Sequence, residues 1–181
     1  MSPLDHLLTL LDDASAVTAL WREHDWFETV GADAVKISVG APDLGALEVV
    51  SRRFHEQLAR PLPPLLVEFL TRCDGYDIRE TSGEPVHEVT AGGVDSHGLY
   101  GAAALEIETT MSGDDEYYGL RIGRVFNQWP ILWMLDGPQG GSVVYPDRDS
   151  EVPLVLAEDL PSFFSRLADA GLSIERMIPF E

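Results

Sequence analysis

The most chemistry-bearing stretch of this sequence is "SGDDEYYG", residues 112–119. Asp114, Asp115 and Glu116 run directly into Tyr117 and Tyr118. Consecutive carboxylates suggest a cation site, but a calcium loop places its ligands at alternating positions and ends on a distant glutamate, and that spacing is missing. Two readings remain. The stretch is a solvated turn, or it is a recognition loop in which the acids pair with a basic partner and the tyrosines supply rigid contact area. Trp129 and Trp133 in "NQWPILW" lie four apart, on one side of a strand. Trp133 reads as core, and Trp129, before a proline at a strand edge, as partly exposed.

Other reactive residue types do not assemble into a constellation. "HEQLA" at 55–59 begins like a metalloprotease helix but lacks the second histidine. His24, His55 and His87 each sit beside an acid, yet sequence neighbours point to different faces, so these are not catalytic pairs. "GGVDSHG" at 92–98 sets Ser96 beside His97 near Asp95, but Gly93 and Gly98 do not have nucleophile-elbow spacing. No phosphate loop, dinucleotide fingerprint or paired-cysteine ligand set occurs. The reading is therefore of a protein with no catalytic residues, metal or cofactor. Cys73 is the sole cysteine and falls on the apolar face of a helix, where it reads as a buried structural thiol.

The elements that must position these residues are legible from period and punctuation. The chain has 181 residues, which suits one domain with a substantial core. Ser2 and Pro3 open a helix striped by Leu4, Leu7, Leu8 and Leu11, and Val17, Leu20, Trp21 and His24 continue helical spacing in the next segment. "VKISV" at 35–39 reads as a short strand. "PDLGALEVVSRRFHEQLA" reads as a helix buried through Leu44, Leu47, Val50, Phe54 and Leu58, ending at Arg60–Pro61. A further helix follows in "RPLPPLLVEFLTRCDG", opened by Pro63 and Pro64 and closed by Gly75, with Leu65, Leu66, Phe69, Leu70 and Cys73 on one face. The middle is β-rich: "EPVHEVT", "GLYGAAALEIETTM" and "EYYGLRIGRVF" are extended-looking stretches between glycine and acidic turns, with "ALEIET" open between strand and helix. "PILWMLD", the turn "GPQGG" and "SVVYPD" form the best hairpin. A strand at Leu154–Leu156 then precedes a helix from Leu160 to Ala170, with Phe163, Phe164 and Leu167 inward and Gly171 as its stop.

Charge bounds the partners. Thirty-one acids against twelve bases give a formal net charge of −19, and Lys36 is the only lysine. Such a chain is repelled by nucleic-acid backbones and anionic membranes, so neither is an expected partner; the acidity either favours a basic protein partner or serves solubility and self-repulsion alone. No apolar run approaches the roughly 20 residues of a membrane span. "MSPLDHLLTLLDDA" lacks a basic leader, so a cytoplasmic location without a signal peptide is expected.

"LPPLLVEFLTRCDGYDI" resembles the signature helix of the SUKH superfamily, which groups bacterial immunity proteins with fungal cell-wall regulators of the Smi/Knr type. Phe69, Leu70, Asp74 and Gly75 stand at its pattern positions, with Asp74 where the family usually has asparagine. "LRIGRVF" is similar to the family's Ile-Gly strand through Ile122 and Gly123. "PILWMLD" and "GGSVVYPD" are similar to its hairpin, with Asp136 and Asp147, and "LVLAEDLPSFFSRL" to its closing element, with Ala157, Phe163 and Phe164. The resemblance covers roughly residues 40–170. It leaves the first 40 as an N-terminal helical extension, and "RVFNQWP" replaces the family's glycine- and aspartate-rich loop. It implies an α+β fold with a central, mainly antiparallel sheet and helices packed to one side. It also implies a non-enzymatic binding module, most often one that neutralises a cognate toxin domain and otherwise one that docks on a regulatory cellular protein. Many such toxins are nucleases with basic surfaces. The expected partner-binding residues are Asp114, Asp115, Glu116, Tyr117, Tyr118, Trp129 and Asp147.

Overall fold

The computed structural model describes residues 2–28, 30–82, 97–112, 114–125, 129–146 and 152–178. The strand expected in "EPVHEVT", the Ser96 turn and Asp147 lie outside them. Among the described residues the order is α1 (Pro3–Leu11), α2 (Ala14–Glu23), β1 (Ala34–Val39), α3 (Leu44–Leu58), α4 (Pro64–Arg72), β2 (Tyr76–Thr81), β3 (His97–Leu99), a 3-10 turn (Ala102–Ala104), β4 (Glu106–Ser112), β5 (Asp115–Val125), β6 (Trp129–Met134), β7 (Val143–Tyr145), β8 (Leu154–Ala157) and α5 (Leu160–Asp169). The strands form one antiparallel sheet in the order β1-β2-β3-β5-β6-β7-β8, and β4 shares the β3 edge of β5. This is the α+β architecture expected.

All five helices contribute to the same core as the inner face of the sheet: Leu4, Trp21, Phe54, Phe69 and Phe163 join Tyr76, Ile78, Leu120 and Ile131. Helices α1 and α2 and strand β1 are part of that core, through Leu4, Leu7, Leu11, Val17, Trp21 and Val35, rather than an appendage. Helix α1 packs on α5, and β1 closes the sheet beside β2. The cap read at Ser2 is a full capping box with Asp5. The Arg72 guanidinium, 2.9 Å away at the end of α4, and the Ser2 hydroxyl hold the Asp5 carboxyl down at about 2. The chain's C-terminal segment is pinned by buried polar tips. Trp21 Nε1 donates to Gly171 O at 2.9 Å and Tyr76 OH to Leu172 O at 2.8 Å. Gly171, the expected stop of α5, lies at φ +59, and a Cβ there would stand 2.6 Å from Trp21 Nε1.

Two helix boundaries differ from the sequence reading. Helix α3 is buried from Leu47 onward, and Leu44 at its first position is exposed. The same helix stops at Leu58 because Ala59 turns left-handed at φ 53, before proline acts. Helix α4 is not closed by Gly75: Cys73 is already extended, with φ −154 and ψ 120. Gly75 has another duty. Its Cβ would stand 2.5 Å from both Gly101 N and Leu99 O, so only glycine lets these backbones meet. Asp74 completes the junction: Gly40 and Asp74–Gly75 exchange N–H···O bonds of 2.9 and 3.0 Å, and Asp74 Oδ1 accepts from Ala102 N at 2.6 Å. That acceptor is one an asparagine side-chain carbonyl also supplies.

In β5 the register slips between Arg121 and Gly123, a bulge. It sets Arg121 and Arg124, three apart, on the same helix-free face, where both guanidiniums lie over the Tyr100 ring at 5.3 and 6.0 Å. A regular strand would send them to opposite faces.

Replacing Asp74 tests the junction. Asp74→Ala strands the Ala102 N–H and should cost about 1–3 kcal/mol in chemical denaturation, the usual penalty for an unpaired buried donor. Asp74→Asn should keep most of that stability, and an equal loss in both variants would show that the acceptor is not what matters.

Candidate functional site

The acidic–aromatic stretch is not a loop. Register places Asp115–Tyr118 in β5, paired with Ser112 back to Thr109 of β4, and only Asp114 lies in the turn. Strand β6 reaches up β5 only as far as Gly119. Beyond that point the β4–β5 hairpin projects from the sheet as a two-stranded arm. A lone two-stranded ribbon is marginal in water, so the arm needs bracing at its base.

The bracing is specific. Leu135 N donates to Tyr118 O and Tyr118 N to Asp136 Oδ1, both at 2.8 Å, so the residues following β6 continue the ladder with one backbone and one side-chain bond. Arg60 holds that turn from the helix side, donating from a guanidinium nitrogen to Leu135 O at 2.8 Å while its guanidinium lies 5.9 Å from the ring centroids of both Phe54 and Trp133. On the other face Arg121 bridges to Glu106 at 2.6 Å and Glu108 at 2.8 Å, tying β4 to β5.

The two tyrosines have different jobs, because adjacent strand residues face opposite ways. Tyr117 packs against Leu132, Met134 and Val144, a small buried cluster on the helix-free face. Its ring fills the space where a Cβ on Gly137 would sit, 2.3 Å from Tyr117 Cδ1. Loss of water, then the nearby Asp115 carboxylate, push its hydroxyl pKa up. Tyr117 is therefore an anchor of the arm. Tyr118 is 45% exposed and shares its face with Glu116. Asp114, Asp115, Glu116 and Asp136 are exposed around it.

The structure does not gather the remaining expected residues at this place. Trp129 pairs with Val125, seven residues along β5 from Tyr118, which is about 23 Å at the usual strand rise. It is partly buried, with its ring 6.1 Å from that of Tyr145. Asp136 is the site residue that sequence reasoning placed only as the acid of a turn. Its adjacency to Tyr118 depends on the offset between β5 and β6, for which the sequence carries no signal.

Elsewhere, reactive groups are spent on structure. His24 stacks on Trp26 at 4.6 Å, and His55 is exposed on α3. Among the described residues, no group of three or more His, Cys, Asp or Glu is placed to hold a metal ion. Cys73 is buried, its Sγ donating to Gly75 O at 3.2 Å, and burial pushes its thiol up to about 11. Among the described residues no helix is long and apolar enough to cross a membrane. No protein-family model matches the chain, and no curated protein matches it.

These assignments have three measurable consequences. Tyr117→Ala should lower stability by about 2 kcal/mol, since a half-buried aromatic loses part of the packing a core ring loses. Tyr118→Ala should leave the melting curve within about 0.5 kcal/mol of wild type, the range of surface substitutions; equal losses would erase the distinction between anchor and contact residue. Cys73 should resist a thiol reagent at pH 8 in the native protein, because both burial and the raised pKa withhold the thiolate, and should react once the chain is denatured. Prompt native labelling would show the thiol to be accessible.

Proposed function

We propose that this chain is a non-enzymatic protein-binding module of SUKH type that neutralises a basic toxin domain by docking its acidic hairpin arm against it. The observation that carries the reading is the arm itself: Asp114, Asp115, Glu116 and Asp136 exposed around a half-exposed Tyr118, on a ribbon braced from both faces. A rigid projection with unburied charge suits entry into a cleft on another protein. The net charge of −19 supplies long-range attraction to a basic surface. A nuclease needs such a surface to hold its substrate, so an arm seated there excludes the substrate without chemistry of its own. The junction at Asp74–Gly75 supports the family resemblance, because Asp or Asn followed by Gly meets its two demands, an acceptor for Ala102 N–H and a residue without a side chain.

Acids and aromatic divide the work. Exposed carboxylates steer the encounter and are screened by salt, whereas a desolvated ring holds the complex once formed. Against the cognate basic domain, changing Asp114, Asp115 and Glu116 to their amides should slow association at low salt and flatten its salt dependence. Tyr118→Ala should instead speed dissociation tenfold or more, about 1.4 kcal/mol. Surface-plasmon kinetics on the two variants separates these effects, and wild-type rates in both across the salt range would take the arm out of the interface.

A further inference from the structure

The acidic arm is one pole of this molecule, and the opposite one lies on the helix-free face of β1, β2, β3 and β5. Lys36 of β1 stands directly across from Arg79 of β2 in the antiparallel register, and both are exposed. Like charges directly opposite on a sheet repel. Yet in a chain with 31 acids, neither makes an ion pair or side-chain hydrogen bond among the described residues. Two of the chain's twelve bases are thus held in mutual repulsion.

Beside them, on the same face, is a concavity. Ser38 and Asp77, one strand period from Lys36 and Arg79, line an open cleft of about 510 Å³ together with Asp74, Gly98, Gly101 and Arg124; Lys36 and Arg79 stand beside it, and within it Asp74 is engaged by Ala102 N and Asp77 by Arg124. That volume is in the range of sites that hold ligands. Its floor is bare backbone by necessity. A Cβ on Gly98 would stand 1.8 Å from Tyr76 O, and one on Gly101 would stand 2.6 Å from Asp74 O. No side chain can fill the trough from below. At one wall the Arg124 guanidinium is fixed by Asp77 at 2.9 Å and lies over the Tyr100 ring.

We propose that this face is a second docking surface, whose occupant is an acidic, extended segment of a protein partner laid across β1–β2–β3. The segment's backbone follows the glycine floor, and its carboxylates fall on Lys36 and Arg79. The uncompensated charge selects the sign of the occupant, and the planar guanidinium of Arg79 selects carboxylate geometry. The proposal is independent of the toxin reading. Arg124, beside this face, is nine residues along β5 from Asp115, about 30 Å, which at physiological salt is several Debye lengths of about 8 Å, so the arm's acids do not cancel the charge of Lys36 and Arg79.

A fluorescently labelled glutamate homopeptide tests it by anisotropy at about 0.15 M salt, where the arm is screened from this face, with a glutamine homopeptide of the same length as control. Wild type should bind the glutamate peptide alone. K36Q/R79Q should weaken that binding tenfold or more at an unchanged melting temperature. R52Q/R53Q, which removes the same charge from the outer face of α3, should bind as wild type does. Failure of wild type to bind, or equal weakening in the two variants, would overturn the proposal. Tripolyphosphate binding the face more tightly than the peptide would overturn it too, by making the ligand a phosphate.

Discussion

Three stretches of main chain meet in this protein more closely than side chains allow, and the fold is arranged around that contact. Asp74 and Gly75 lie between α4 and β2. They exchange hydrogen bonds with Gly40 at the end of β1 and abut the Leu99–Gly101 backbone. The Asp74 carboxylate then caps the 3-10 turn through Ala102. A single dipeptide thereby fixes where two strands begin to pair and where the chain turns toward the arm. A Cβ at any of Gly40, Gly75, Gly98 or Gly101 would stand 2.6 Å or less from another backbone atom. Such overlaps are relieved only by moving main chain, and moving it here shifts β1, β2 and β3 together.

The consequences run in two directions. On the inner side the junction brings Tyr76 against the C-terminal segment, where its hydroxyl meets Leu172 O, and this ties the sheet to the α1–α5 layer. On the outer side it leaves a floor without side chains, bordered by the exposed bases of β1 and β2. The same strands continue into β5, whose far end carries the acids. A chain that is acidic overall therefore carries acids at one end of β5 and arginines along it, and Asp115, Glu116, Lys36 and Arg79 are presented on strands, with Asp114 and Asp136 in the turns beside them. Rigid presentation lowers the entropy lost on association, which favours binding as the use of these groups.

Much of this was legible in the residues, for physical reasons. Capping, proline and helical period located the helices, because these signals are local: Ser2 and Asp5 close a capping box three residues apart, and Gly171 takes the positive φ expected of a helix stop. The continuous apolar run of "PILWMLD" and the glycine turn before "SVVYPD" located the β6–β7 pair for the same reason. What the sequence did not disclose is set by partners distant in the chain. The bulge at Ile122, which turns Arg121 and Arg124 to one face, has no local mark. Glu116–Tyr118 read both as the start of an extended stretch and as part of an acidic turn or loop, and it is the pairing with β4 and the packing through Tyr117 that make them strand. Gly75 read as a helix stop because glycine after a helix has that meaning locally, whereas its actual constraint is Leu99–Gly101, more than twenty residues on.

The central claim is that the arm, and not the helical layer, meets the basic partner. Amide hydrogen exchange on the complex recovered from the native host measures this directly, because it reads every backbone position at once. The account predicts that binding slows exchange in Thr109–Tyr118 and at the Leu135–Asp136 turn, with α1, α3 and α5 unchanged. Protection confined to the helices, with the arm exchanging as in the free protein, would contradict it.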